Sequence, residues 1–464
     1  MAFGFFKKAQ FADIIFHNGH IYTNDPEYPW AEAVACKDGR IEAVGDFDAM
    51  DQITGSDTEL FDLEGKYLFP GFIDVHRSPV MKVFEDKYLD LTECQDTDDI
   101  CGMVCNWADN HSDEEIIFGY GYREDLEPTL EQLDGCVDDR PVVLLSVSGI
   151  TCAFNTVAST IIKDTAEEEC VDIITTPYIL NLMLPFDFME IEEAVADVVE
   201  GLCEKGVTSV LNLQSPSYFE GLYQDSLFGL YNEGKLRQRF FGSYLMNRPL
   251  HPAGLIHVLM NRKTKCMETD EMIKCQMLNV HFDQKNCPME LHQETMDSIL
   301  LEVAERGFDF FFEADDQNDL MMAYNALETL RNKGYRNQIT IASNAKLAEE
   351  QLSSLEHCED VYTTWKSGIY LDHPVIVQVS STEEAIEEMT IKAAAILGME
   401  DDLGKVEKGM LADFAIFDEN PLACDLKTFS RMETAMTVLG GKIVYDLEGE
   451  IMDEMYDLFS AQML

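Results

Sequence analysis

The stretch LFPGFIDVHRSPV, residues 68–80, begins as an apolar run and ends in polar chemistry. It reads as a buried strand that closes on Asp74, His76, Arg77 and Ser78. Side chains alternate along a strand, so positions 76 and 78 share one side, and a histidine at each would form half of a metal site. The second position here is Ser78.

Downstream, strand-like runs recur in regular succession: VTSVLNL, RQRFFGSYL, MLNVHFD, FDFFFEA, QITIAS, DVYTTW and GIYLDHPV. Helical patterns such as MDSILLEVAERG and DLMMAYNALETLRNKG separate them. With the opening run this makes eight strands, and the series predicts an α/β fold built on a (β/α)8 TIM-type barrel over residues 68–398. Residues 80–200 are too long for one crossover and contain their own strands, EIIFGYGY and PVVLLSV. They predict an inserted α/β subdomain placed to cap the barrel mouth.

Both chain ends read as β structure. DIIFHNGHIYT and AVACKDGRIEAVG each place apolar runs around Asn18-Gly19 or Asp38-Gly39, and TVLGGKIVYD does the same at Gly440-Gly441, the dipeptides of tight hairpins. Neither end is large enough to be stable alone. Residues 1–67 and 399–464 are therefore expected to pair into one small composite β-sandwich.

Composition narrows the partners. Of 464 residues, 87 are acidic and 33 basic, giving a net charge of -54. Such a surface repels phosphate backbones and anionic headgroups, so neither nucleic acid nor a membrane surface is an expected partner. No apolar run reaches the roughly 18 residues that span a bilayer. The thirteen cysteines follow no regular framework and no secretory segment is legible at AFGFFKKAQF, which leads us to expect reduced thiols and a cytoplasmic location. Cys101 and Cys105 lie four apart on a predicted helix with no matching second pair and are read as packing residues.

At this point the motifs carry a family resemblance. NGHIYT, KDGRIEAVG, LEGKYLFPGFIDVH, IFGYGYREDL, DRPVVLL, KGVTSV, AAAILG with GKVEKGMLADFAIFD, and GGKIVYD occur in an order that resembles the amidohydrolase superfamily. The similarity is to the amidohydrolase-3 branch that includes the N-substituted formamide deformylases. It implies hydrolysis of non-peptide C–N bonds at one or two divalent metals. Their ligands would be a His-x-His pair on the first strand, often a carboxylated Lys on the fourth, a His on the fifth and on the sixth, and an Asp on the eighth. Against that pattern His76 and Asp372 are kept, while Ser78, Asn279, Phe312 and Ile341 stand where the resemblance implies His, Lys, His and His. Ile150, in SGITCAFN, replaces a further histidine of the insert.

A catalytic zinc site needs three protein ligands and an open position, and two remain. Metal-bound water gains about 12 kcal/mol of acidity, which Asp372 alone does not supply. The expectation is a pseudo-hydrolase without a cofactor, whose pocket of His76, Ser78, Asn279, His281, Phe312 and Ile341 takes a small neutral or cationic molecule. The alternative is an active amidohydrolase in which His76, His281, Asp283 and Asp372 hold zinc or another divalent metal, with Asp372 as general base. A further alternative is a structural or regulatory subunit of an active relative. Homo-oligomerisation is left open. Glu313, Asp315 and Asp316 read as a solvated loop after the fifth strand, and Arg77 as a structural ion-pair partner.

Overall fold

The computed structural model describes residues 11–77, 88–146, 151–169, 176–183, 188–213, 220–246, 252–282, 293–314, 316–343, 361–364 and 379–449. The chain starts with strands β1 (Ile14–Tyr22), β2 (Trp30–Lys37), β3 (Arg40–Gly45), β4 (Glu59–Asp62) and β5 (Tyr67–Pro70). Asp38 and Gly39 both have positive φ, 49° and 77°, as a two-residue hairpin between β2 and β3 requires. Asn18-Gly19 behaves differently from its sequence reading. Both residues lie inside the single strand β1, whose register against β2 shifts between His17 and Ile21. The dipeptide is thus a bulge, with Asn18 at φ 58° and its Nδ2 donating to Asp62 Oδ1 at 2.7 Å. A Cβ on Gly19 would lie 2.6 Å from Leu63 Cδ1, so only glycine fits there.

The barrel begins at β6 (Phe72–Arg77), then yields to the insert. The insert contains β7 (Leu89–Asp90), α1 (Thr97–Asn110), β8 (Ile117–Tyr122), α2 (Leu130–Cys136), β9 (Val142–Ser146), β10 (Cys152–Phe154) and α3 (Thr156–Glu168). Its four strands form a separate sheet in the order β10-β9-β8-β7. Asp96 caps α1, and Thr129 with Gln132 forms a reciprocal capping box on α2. Cys101 and Cys105 face Cys136, whose Sγ lies 3.4 Å from the Cys101 carbonyl oxygen.

After α4 (Thr176–Met183) and α5 (Phe188–Cys203) the barrel resumes with β11 (Val207–Asn212), α6 (Glu220–Asn232), β12 (Arg239–Met246), α7 (Pro252–Cys266), β13 (Ile273–Phe282), α8 (Gln293–Glu305), β14 (Asp309–Ala314), α9 (Gln317–Asn332), β15 (Ile339–Ser343) and β16 (Val361–Thr364). These pair in parallel as a seven-stranded curled sheet, β16-β15-β14-β13-β12-β11-β6. The eighth expected strand, GIYLDHPV, lies outside the described residues.

The chain then returns to the first sheet with β17 (Phe414–Phe417), β18 (Met436–Leu439) and β19 (Lys442–Asp446). Gly440 and Gly441, at φ 57° and 76°, turn the hairpin between β18 and β19. β17 pairs antiparallel with β5, joining both chain ends into one eight-stranded sheet around Ile14, Phe16, Val34, Leu68, Phe414 and Val438. The Arg239–Asp413 ion pair, buried at 2.8 Å, ties β12 of the barrel to this sheet.

Candidate functional site

Strand phase decides which side chains face the barrel interior. On β14, Phe310, Phe312 and Ala314 pack with Leu259 of α7, Ile299 and Val303 of α8 and Leu327 of α9, the outer helical layer. Phe311 lies in a different cluster, with Leu211, Phe241, Met277 and Ala342. Neighbouring parallel strands keep this phase: Asn279 stands opposite Phe311 and Phe311 opposite Thr340, while His281 stands opposite Glu313 and Glu313 opposite Ala342. The other phase is the outer one, in which Val280, Phe312 and Ile341 stand side by side.

Two sequence expectations change accordingly. Phe312 and Ile341, expected to line the pocket, pack instead in the helical layer on the far side of the sheet. The interior positions of these two strands belong to Phe311 and Glu313, and to Thr340 and Ala342. Glu313, read as part of a solvated loop, is the fifth residue of β14 and is only 2% exposed. Asp316 is a loop carboxylate, which caps α9 by accepting from the backbone N–H of Asn318 and Asp319, and Asp315 lies outside the described residues.

Asn279 is the centre of the described interior. Its Nδ2 donates to Glu313 Oε1 at 2.6 Å and to the carbonyl oxygen of Leu213, beyond the end of β11, at 2.8 Å. The second bond crosses the concave face past β12, which confirms the inward direction. Among the described residues Asn279 Oδ1 is buried without a hydrogen-bond partner, as are Thr340 Oγ1 two strands away on β15 and Ser209 Oγ on β11. His281, half-buried, follows Asn279 toward the C-terminal end of the strand, where barrel sites form. The opposite end is plugged: Gln276 Nε2 donates to the Leu397 carbonyl at 2.7 Å, and Gln338 Nε2 to that of Ile396 at 2.6 Å.

The structure thus brings Asn279, His281 and Glu313 together. His76 is placed on β6 by its backbone, and Ser78, Asp283 and Asp372 lie outside the described residues.

The amidohydrolase-3 model of the amidohydrolase family matches residues 59–358 and 372–445. The chain belongs to the amidohydrolase family. It is 30% identical over 151 residues to the protein LONG AFTER FAR-RED 3 of Arabidopsis thaliana, covering 32% of this chain and 26% of that one. It is 26% identical over 146 residues to the N-substituted formamide deformylase of Arthrobacter pascens, covering 30% and 27%. The chain therefore matches about a quarter of the length of these relatives. Among solved structures, a metal-dependent hydrolase of Pyrococcus horikoshii OT3 superposes with a TM-score of 0.61 at 17% identity, over 89% of this chain and 99% of the other. An atrazine chlorohydrolase of Arthrobacter aurescens TC1 complexed with zinc superposes with a TM-score of 0.54 at 13% identity, over 93% and 95%. The composite sheet, curled parallel sheet and insert are thus an amidohydrolase fold of the TIM-barrel type.

That family membership implies a divalent metal, and the described side chains are poor ligands for one. Among the described residues no group of three or more His, Cys, Asp or Glu converges as a metal site requires. At Asn279 the strand-four position offers a neutral amide in place of the anionic carboxylated lysine that the family pattern implies. Strands β14 and β15, DFFFEA and ITIAS, contain no histidine in either phase. The side chains of His76, Ser78, Asp283 and Asp372, which the family pattern and the rewired alternative would draw on, lie outside the described residues.

Proposed function

We propose that this amidohydrolase-family chain is degenerate at the family's metal centre and binds a small neutral or cationic molecule inside the barrel, as a pseudo-hydrolase. The observation that carries the reading is the Asn279 side chain, whose NH2 is spent on Glu313 and Leu213 while its buried Oδ1 lacks a partner. A buried carbonyl oxygen without a donor is costly, about 1–3 kcal/mol, and a ligand N–H or O–H would relieve it. Thr340 Oγ1 offers a second neutral contact across Phe311.

The test is metal content together with turnover. Full-length protein purified without chelator is expected to carry well under one equivalent of zinc, manganese or iron, and to leave a panel of N-formyl and N-acyl amines intact. Stoichiometric metal that survives dialysis, with hydrolysis lost in Asp372→Asn, would overturn the reading.

A second reading, an active enzyme with a rewired site, is favoured by one observation. Glu313 stands beside His281 at the same level of the interior and adds a carboxylate to the set His76, His281, Asp283 and Asp372. Under it, Glu313→Gln would abolish a metal-dependent turnover, whereas the preferred reading expects no turnover to lose.

A further inference from the structure

The insert carries a hollow of its own. About 470 Å³ opens between β7, β8 and α1, walled by Tyr88, Asp90, Met103, Asn106, Trp107 and Tyr120. The volume falls in the range of small-molecule sites. Among the described residues the lining includes three aromatic rings and a carboxylate and no Lys or Arg.

The rings are held in place. Trp107 stacks on His111, with centroids 4.0 Å apart and planes at 14°, and its Nε1 donates to Glu114 Oε2 at 3.0 Å. A carboxylate that accepts the indole N–H enriches the ring in electron density, which strengthens its face as a partner for positive charge. Tyr88 meets Phe118 edge-on, with centroids 5.5 Å apart at 87°. Burial, and then the charges of Glu190 and Glu114, push the Tyr88 phenol up to about 12. Asp90 is exposed at the lip, with Oδ1 held by the backbone N–H of Thr92 at 2.9 Å.

We propose that this hollow binds an organic ammonium ion of the alkylammonium or quaternary ammonium class. Aromatic faces with a nearby carboxylate are the usual recognition device for such ions. An anion would meet Asp90, with the Glu114 carboxylate bonded behind the Trp107 indole, and the -54 net charge of the chain concentrates cations around it. A neutral apolar molecule would use the rings and gain nothing from the carboxylates. The described lining lies within the insert, so this inference stands apart from the reading of the barrel interior.

Choline and its uncharged isostere 3,3-dimethyl-1-butanol, titrated into the full-length chain by calorimetry at low salt, test it. Choline should bind saturably and at least about tenfold tighter than the isostere, and added salt should weaken it. Trp107→Leu and Asp90→Asn should each lower choline affinity about threefold to tenfold, while Trp107→Phe keeps most of it. Asp90→Asn retains the oxygen that accepts from Thr92 and guards against misfolding of Trp107→Leu, with the fold checked by circular dichroism. Equal affinity for the isostere, no saturable heat up to about 50 mM choline, or an affinity unchanged in the folded Asp90→Asn protein would each overturn the proposal.

Discussion

Asn279 and Glu313 are both almost wholly buried, and the 2.6 Å bond between them brings an amide donor to a carboxylate in the barrel interior. Hydrogen bonds to charged groups contribute about 1.5–3 kcal/mol, so Asn279→Leu is expected to lower unfolding stability by about 2–3 kcal/mol at neutral pH. Urea denaturation followed by circular dichroism measures it, and a change below about 0.5 kcal/mol would mean that other contacts hold Glu313 unaided. The sequence made Asn279 and His281 visible because MLNVHFD alternates apolar and polar residues. It hid the phase of the next strand, where Phe310, Phe311 and Phe312 run together. Strands of a barrel are buried on both faces, so such a run carries no alternation to read. Glu313 was obscured for a related reason: it stands close to Asp316, a genuine cap, and the acidic cluster looked uniform.

Two elements meet through Arg239 on β12 and Asp413, the residue before β17. Burial alone pulls the guanidinium down, but the Asp413 carboxylate overrides it and holds Arg239 above its ordinary value. Asp413 also accepts from the Gly440 backbone N–H at 2.7 Å. Removing one partner strands a buried charge, and Asp413→Asn should cost about 3–5 kcal/mol. Arg239→Met combined with Asp413→Leu should cost less than the sum of the single changes, a non-additivity that a double-mutant cycle measures. Buried thiols add a pH dependence at the element scale. Burial pushes Cys36 on β2 and Cys275 on β13 up to about 12 from an ordinary 9.0. A raised folded value means stability that is fully present below pH 9 and is lost as pH climbs to about 12. Unfolding free energies at pH 8 and 11 should therefore diverge less in Cys36→Ala/Cys275→Ala than in the parent. The hairpin at Asp38-Gly39 was legible because positive φ at both positions leaves few residue choices. The same logic misread Asn18-Gly19, since a bulge also accepts positive φ; pairing of both flanks with the one strand β2 distinguishes the two.

Across the whole molecule, the excess of acidic residues makes self-repulsion a global cost of compactness. Between about 0.01 M and 1 M salt the screening length falls from about 30 Å to about 3 Å, so the melting temperature should rise by several degrees, and a flat response would show the charges to be locally compensated. The pairing of β5 with β17 has a consequence for synthesis. Tyr67 finds Phe417 only after some 350 further residues have left the ribosome. Until then the apolar face of β1, β2 and β5 waits without its cover, while the barrel strands between them can already associate. A chain ending before Ala412 should collect in the insoluble fraction, where the full chain does not, as a pelleting assay would show. The pairing of β17 with β5 thus closes a seam that a chain interrupted anywhere in the barrel leaves open.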